Sequence, residues 1–380
     1  MDINLTEEQK MFQSMVRDFA TNEVKPIAAQ VDEEAKFPTE IIKKAADLGL
    51  FGLTVAEEYG GSGGDYLSMT IAAEELSRAS ASVAVIFLAS LSLASHPINK
   101  FGTDEQKRKF LTPVAKGETI ACFGLTEPGA GSDAGALQTM ATQQGDSYVL
   151  NGSKIFITNG LEAGIAVVFA TVDKSLKHKG ITAFVVEKGT PGYSIGKEEN
   201  KLGIRGSSTV ELIFENCQIP AANRIGEEGQ GLRIAMEAID SSRVTVAAQA
   251  LGISQAAFED ALSYAKERQQ FGQPLANLQA IQWMLADMAT QIDAARLLTY
   301  RAAWLKDQGL PFLKEAAMAK LFAAETSRMV TNNAMQIHGG YGYCKDYPIE
   351  RYLRDAKITE IYEGTSEMQR MTIARVLTRD

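Results

Sequence analysis

Apolar residues recur with a helical period from the start of the chain to about residue 120. "LTEEQKMFQSMVRDFATNEV" sets Thr6 before acidic residues and an amphipathic stripe, the pattern of an N-cap followed by a helix. "PTEIIKKAADLGL" repeats it, with Pro38 at the start and Gly49 near the end. "EEYGGSGGDY" predicts a loop, "LSMTIAAEELSRAS" a further helix, and "TDEQKRKFLTPVAKG" closes the region. The most apolar stretch, residues 82–95, is short and carries several serines, which suits a buried helix better than a membrane span. Between about 121 and 220 the pattern changes to short β-rich runs: "YVLNGSKIFITN", "IAVVFATV", "ITAFVVEK" and "STVELIFENCQI". Asn151-Gly152 predicts a hairpin turn, and strands without helices between them predict an antiparallel sheet or small barrel. From about 228 three long, alanine-rich helical patterns follow, apolar nearly all round, as in a packed bundle that also buries surface between subunits. The reading is an α+β chain of three domains: helical over 1–120, β over 121–228 and helical over 229–380.

The chain has 380 residues, 45% hydrophobic and 22% charged, enough for two or three domains. A formal charge of -9 and a pI of about 5.2 argue against a nucleic-acid surface. The three cysteines are widely separated, with no Cys-x-x-Cys pair, which fits a reducing compartment, and the three histidines show no metal-ligand spacing. The acidic start "MDINLTEEQK" lacks the basic and apolar regions of a secretory signal. A cytoplasmic protein with no membrane span is the expectation.

Four stretches look chemical. "CFGLTEPGAGSDAG" (122–135) is followed by a hairpin pattern rather than a helix, so it is no dinucleotide fingerprint. It is either a plain turn or a loop whose bare N–H groups and hydroxyls, Thr126 and Ser132, hold a flat polar ring or phosphates. "RQQFGQPLANLQ" (268–279) reads as a helix connection or as an Arg aimed at phosphate. In "QIHGGYGYCKDYPIERYLRDAK" (336–357) the glycines leave backbone bare, His338 alone reads as structural, and Arg351 and Arg354 are expected to pair with Glu350 and Asp355. In "KITEIYEGTSEM" (357–368), Glu360, Glu363 and Glu367 fall on helical spacing, a like-charge crowding, with Gly364 readable as a helix C-cap.

Together and in this order, "LTEPGAGSD", "KIFITNG", "KLGIRGSST", "RQQFG", "QIHGGYGY" and "IYEGTSEMQR" make the chain resemble, end to end, the acyl-CoA dehydrogenase family, nearest its short-chain (butyryl-CoA) branch. The resemblance implies an N-terminal helical domain, a middle antiparallel β-domain and a C-terminal four-helix bundle. It implies FAD as cofactor, an acyl-CoA substrate oxidised to its trans-2-enoyl-CoA, electron-transferring flavoprotein as acceptor, and a homotetramer. Residue by residue, Phe123, Leu125, Thr126 and Gly131 would face the flavin, with Ser132 near phosphate or ribose and near substrate. Phe156, Ile157 and Thr158 would form the second flavin wall; many relatives carry Trp where this chain has Phe156. Arg268, Phe271 and Gln279, with Gln336, Ile337, His338, Gly339 and Gly340, would hold the pyrophosphate and adenosine of a neighbouring subunit's FAD. Thr365, Ser366 and Glu367 would also contact FAD. Asp240, Ser241, Ser242, Arg243 and Gly364 would line the acyl-CoA site.

By the same resemblance Glu363 is the base that removes the substrate α-proton. Some relatives carry that base near position 240 instead, but "IDSSRV" offers Ser242 there, which leaves Glu363. An acyl-CoA oxidase is disfavoured by length, a nitroalkane oxidase or flavin monooxygenase by the intact "YEGT" and "EPGAGSD", and a non-enzymatic scaffold by the presence of Glu363. One expected wall of the acyl pocket, "IFLASLSLASHP" (86–97), has no Arg, which disfavours a dicarboxylic acyl group.

Overall fold

The computed structural model describes residues 5–378. The first helices are α1 (Glu7–Phe19), α2 (Ala28–Glu34), α3 (Thr39–Asp47) and α4 (Tyr66–Ala79). Thr6 caps α1 as its sequence predicts, in a capping box with Gln9. α5 (Ala81–Leu88) runs through a π-helical turn, Ala89–Ala94, into α6 (Ser95–Phe101); α7 (Asp104–Gln106) and α8 (Thr112–Ala115) are single turns. The segment Ala81–Phe101 is the one helical stretch among the described residues long and apolar enough to cross a membrane, and it is 89% buried inside the fold.

Eight strands follow: β1 (Ala121–Gly124), β2 (Met140–Gln144), β3 (Ser147–Thr158), β4 (Ile165–Thr171), β5 (Ile181–Glu187), β6 (Tyr193–Glu198), β7 (Thr209–Pro220) and β8 (Arg224–Ile225). They form one sheet in the order β6-β7-β3-β2-β4-β5-β8, with β1 added on β4. Most pairs are antiparallel, as expected, but β1 pairs β4 in parallel and Met140 of β2 meets Thr171 of β4 in parallel, so the sheet is mixed.

The predicted turn at Asn151-Gly152 is not a turn. Both residues lie inside β3, at a bulge opposite β7, where Asn151 Oδ1 accepts from Asn216 N at 2.8 Å. Gly152 is needed there at φ 146°, because a Cβ would stand 2.6 Å from Thr139 Oγ1. The hairpin turns instead at Gly145-Asp146, where β2 meets β3 with Gln144 opposite Ser147.

Three long helices, α9 (Gly231–Glu267), α10 (Gln279–Asp307) and α11 (Leu313–His338), pack on one another. The rest of this region is two short helices, α12 (Ile349–Ile358) and α13 (Ser366–Leu377), both packed on α11. α9 also packs on α4, at a crossing so close that a Cβ on Gly252 would stand 2.2 Å from Glu74 O. Glu74, buried at that crossing, accepts from Arg296 at 3.0 Å and Tyr300 at 2.7 Å on α10. The N-terminal helices are thereby locked to the bundle, and one continuous apolar core runs through all three regions.

Candidate active site

α12 stops at Ile358 and α13 begins at Ser366, so the acidic stretch lies on an irregular loop between two helices. The three glutamates share no helical face. Glu360 pairs with Lys357 at 2.7 Å and Arg328 at 2.9 Å, Glu367 stands exposed in the first turn of α13, and Glu363 turns inward. Gly364, at φ 92°, is no C-cap of α12; it precedes Thr365, whose side chain caps α13. Glu363 itself has φ 52°, a left-handed conformation that costs a non-glycine residue about 1 kcal/mol or more and persists only where the surroundings impose it.

The surroundings are specific. Lys320, wholly buried on α11, donates from Nζ to Gly364 O at 2.7 Å. Gln369 Nε2 donates to Gly364 O at 2.7 Å and Glu363 O at 3.3 Å. Tyr362 OH donates to Gln249 on α9, whose Nε2 reaches Ala81 O at 3.1 Å. Upstream, Arg354 pairs with Glu350 at 2.6 Å as expected, but its second partner is Asp32 of α2. Asp355 makes no ion pair among the described residues: it accepts from Ile204 N at 2.6 Å, docking the "KLGIRGSS" segment against α12.

The Glu363 residue is only partly buried, yet its Oε2 is sealed from solvent and has no hydrogen-bond partner among the described residues. Burial pushes this carboxyl up to about 7, against smaller opposing effects of the Ser242 hydroxyl and the cationic Lys320 and Arg243. The Glu363 N–H also makes no hydrogen bond among the described residues. α9 brings Asp240 and Arg243, paired at 2.7 Å, and Ser242 to this side. Arg243 Nη2 comes within 3.8 Å of where a Cβ on Gly364 would lie, and its Nε has no partner. Ser241 is not brought in: it is buried, with Oγ bonded to Glu237 O at 3.0 Å and its carbonyl to Tyr66 OH at 2.6 Å.

The two expected flavin walls are fixed to each other. Lys154, fully buried on β3, donates to Glu127 at 2.7 Å and Leu125 O at 3.3 Å, and Ile155 N donates to Thr126 O at 2.9 Å. Glu127 also accepts from the N–H groups of Gln138 and Thr139, so the whole 125–139 loop is strapped to β3. Leu125 and Ile157 put their side chains into the core and leave backbone for a ligand. Gly131 and Ser132 are exposed, and nothing stands within 4 Å of a Cβ at Gly129 or Gly131. Thr126 and Thr158 are half-buried, Phe123 packs on Phe169, and Phe156, at φ 58°, presents 60% of its surface.

At the far end of α9, Arg268 and the two-strand turn β9 (Gln269–Gln270) and β10 (Gln273–Pro274) carry Phe271, 90% exposed at φ 54°. The Arg268 guanidinium lies 5.6 Å from the Tyr341 ring, so the structure joins it to the 336–340 turn, and Gln279 opens α10 nearby in sequence, exposed. Gln336, Gly339 and Gly340 are exposed. Ile337 and His338 are not: His338 stacks on Tyr264, and its Nδ1 lies 2.9 Å from Ala334 O.

These features fit FAD and a thioester. An exposed aromatic beside open glycine backbone suits a flat ring, the Arg268 turn suits a phosphate, and Glu363 Oε2, Arg243 Nε and the buried Ser366 Oγ are orphaned at one loop. Reasoning from sequence missed Lys320, Gln369, Lys154 and Gln249. Lys320 carried a signal: it sits with Ala316, Ala323, Ala324 and Ser327 on the buried stripe of α11, where a charge needs a reason.

Family models for the N-terminal, middle and C-terminal domains of acyl-CoA dehydrogenase match residues 6–118, 122–217 and 229–378. The short-chain specific acyl-CoA dehydrogenase of Clostridium acetobutylicum is 55% identical over 379 residues, covering 100% of both chains. The butyryl-CoA dehydrogenase structure from Megasphaera elsdenii has 49% identity and a TM-score of 0.98, covering 100% of each chain. A chain from structural work on the electron transferring flavoprotein of Acidaminococcus fermentans and flavin-based electron bifurcation has 51% identity and a TM-score of 0.99, again over 100% of each. The chain therefore belongs to the acyl-CoA dehydrogenase family, an oxidoreductase whose cofactor is FAD.

Proposed function

We propose that this enzyme removes the α-proton of a short acyl-CoA with Glu363 while the β-hydrogen leaves as hydride, giving the trans-2-enoyl-CoA. FAD, when bound, supplies the hydride acceptor. The observation that carries this reading is the pairing, on one residue, of a carboxylate oxygen, Oε2, sealed from solvent and without a partner, with a backbone N–H that makes no hydrogen bond among the described residues. A hydrogen α to a thioester is a very weak acid, so a base needs help from a donor aimed at the thioester oxygen as negative charge develops there. The Glu363 N–H is such a donor, held in place by the left-handed loop. A carboxylate with its pKa near 7 is also a stronger base than an ordinary one.

The acyl chain is short because the space behind Glu363 is closed by polar groups. Tyr362, Gln249 and Ala81 O form a hydrogen-bonded bridge from the catalytic loop across α9 to the start of α5. Thr359, fully buried, backs the same loop. A longer alkyl chain would have to displace these bonded groups, at about 1–3 kcal/mol for each one left unpaired. Gln249→Ala is expected to shift the optimum toward longer acyl-CoAs and to lower butyryl-CoA efficiency, read from kcat/KM across straight-chain thioesters with an electron acceptor. An unchanged chain-length profile would remove Gln249 as the stop, and a wild-type preference for long chains would remove the short-chain reading.

Electrons pass on to an electron-transferring flavoprotein, a reading supported by the likeness to the Acidaminococcus chain. The native assembly is a homotetramer. The support is exposed apolar surface on the bundle, with Trp283 61%, Leu297 50% and Met371 63% exposed, more than a solvated helix face usually presents. Sedimentation at four chain masses is the expected result; a monomer would contradict it.

A further inference from the structure

Away from the catalytic loop lies a cleft of about 410 Å³ between the loop before α4, the π-helical turn with α6, and the last turn of α10. Its volume holds on the order of ten waters or one small organic molecule. Its wall on one side is a π-helical turn, one of three among the described residues and a distortion frequent at functional sites. Two nitrogens in it, one of them sealed from solvent, make no hydrogen bond among the described residues.

The first is Lys306. Its ammonium sits 3.3 Å from the centre of the Tyr66 ring and makes no hydrogen bond or ion pair among the described residues. The neighbouring Asp307 does not neutralise it by contact, because that carboxylate accepts from Tyr66 N at 2.7 Å and Leu67 N at 3.0 Å. Lys100, at the rim, is already paired with Glu237. Burial holds Lys306 down to about 7, with Lys100 adding to the fall and Asp307 partly opposing it. The second is His96, whose Nε2 is buried and unpartnered. Around these two the lining is mixed: Val55, Leu91 and the face of Tyr66 stand beside Ser92, Ser95 and Asn99.

A cation with no hydrogen-bonded anion, one free imidazole nitrogen and apolar patches set among small polar groups suit a ligand with one anionic end and a short body. We propose that this cleft binds a small organic carboxylate, its anionic end on Lys306 Nζ and its apolar part against Tyr66 and Leu91. The cleft is separate from the reacting atoms but shares a wall with them. Tyr66 OH bonds the carbonyl of Ser241, and Ser92 Oγ lies 3.1 Å from Thr245 Oγ1, on either side of Ser242 and Arg243 in α9. A bound carboxylate would thus rest against the helix that lines the catalytic carboxylate.

The test is calorimetric titration of the FAD-loaded enzyme with butyrate, the acyl site being blocked beforehand by a non-reactive butyryl-CoA thioether. The wild type is expected to show saturable binding, and Lys306→Met to bind about tenfold or more weakly, the loss of one charge-assisted contact. Dehydrogenase turnover of Lys306→Met should match wild type. Asn99→Trp, which occludes the cleft without changing its charge, should abolish the heat while melting normally. Absence of saturable heat in the wild type, or equal affinity in Lys306→Met, overturns the proposal. Binding of inorganic phosphate but not butyrate overturns the assignment to an organic acid. The blockade rests on the short-chain reading, and titrating the butyryl-CoA thioether first, by its own saturable binding, reports a failure of that reading separately.

Discussion

Glu363→Gln is expected to fold, to retain FAD, and to lose turnover by about 10⁴-fold, the upper end of what one positioned base contributes. The amide keeps the side-chain volume and leaves the backbone N–H in place, so the loss isolates proton removal from substrate binding. The same substitution has an opposite effect on stability. The folded-state pKa of Glu363 is raised above its ordinary value, so the native protein binds a proton more tightly than the unfolded chain. Stability from this group is therefore full at pH below the ordinary carboxylate value and is lost as pH rises through about 7. Above that pH the wild type keeps a desolvated charge that the glutamine variant lacks. Glu363→Gln should melt higher than wild type at alkaline pH, and the difference should vanish near pH 4. A variant that is less stable across the whole range would contradict the buried-charge account.

Lys320→Met is the second large effect. The ammonium clamps the carbonyl of Gly364 and stands beside the Glu363 carboxylate proposed as the base, so its loss acts in two ways. Gln369 alone would hold the loop, and a small displacement of the base is expected to reduce kcat/KM by about 10²-fold. Burial already raises the Glu363 pKa, and removing a cationic neighbour raises it further. The other charges that act on it, Arg243 directly and Asp240 through Arg243, remain, as do Glu360 and Glu367 near Lys320. The acid limb of the kcat/KM profile should therefore move to higher pH in Lys320→Met and stay near its wild-type position in Lys320→Arg. A lysine that only filled space would lower the rate without moving that limb.

The order of helices, sheet and helices was legible because periodicity is a property of long runs. The patterns in α9, α10 and α11 extend over 37, 29 and 26 residues, so tertiary context had little room to override them. What misled were short signals whose meaning depends on distant chain. Asn151-Gly152 has the composition of a turn, but Thr139 and Asn216 make it a bulge. Gly364 has the composition of a cap, but Lys320 and Gln369 make it part of a clamped loop. The parallel pairing of β1 with β4 joins strands separated by the 125–139 loop, β2 and β3, and nothing local encodes it.

The site was legible in a different sense. The residues expected to meet the flavin and the substrate came from motif resemblance, and the structure gathers most of them at surfaces a ligand can reach. It also supplies what motifs do not show, namely how those surfaces are held. Lys154 and Glu127 strap one proposed flavin wall to the other, and Lys320 with Gln369 fixes the proposed base. Both lysines sit where alternation or helical period calls for an apolar residue, and each is buried completely. A charge on an inward-facing position, satisfied by one specific carbonyl or carboxylate, was the readable trace of these supports.

The most direct test of the central claim is an anaerobic titration of wild-type and Glu363→Gln enzyme with butyryl-CoA, following the absorbance of the oxidised flavin. The account predicts rapid bleaching in the wild type and an essentially unbleached spectrum in the variant, with butyryl-CoA still bound. Bleaching at the wild-type rate in Glu363→Gln would show that another group removes the α-proton.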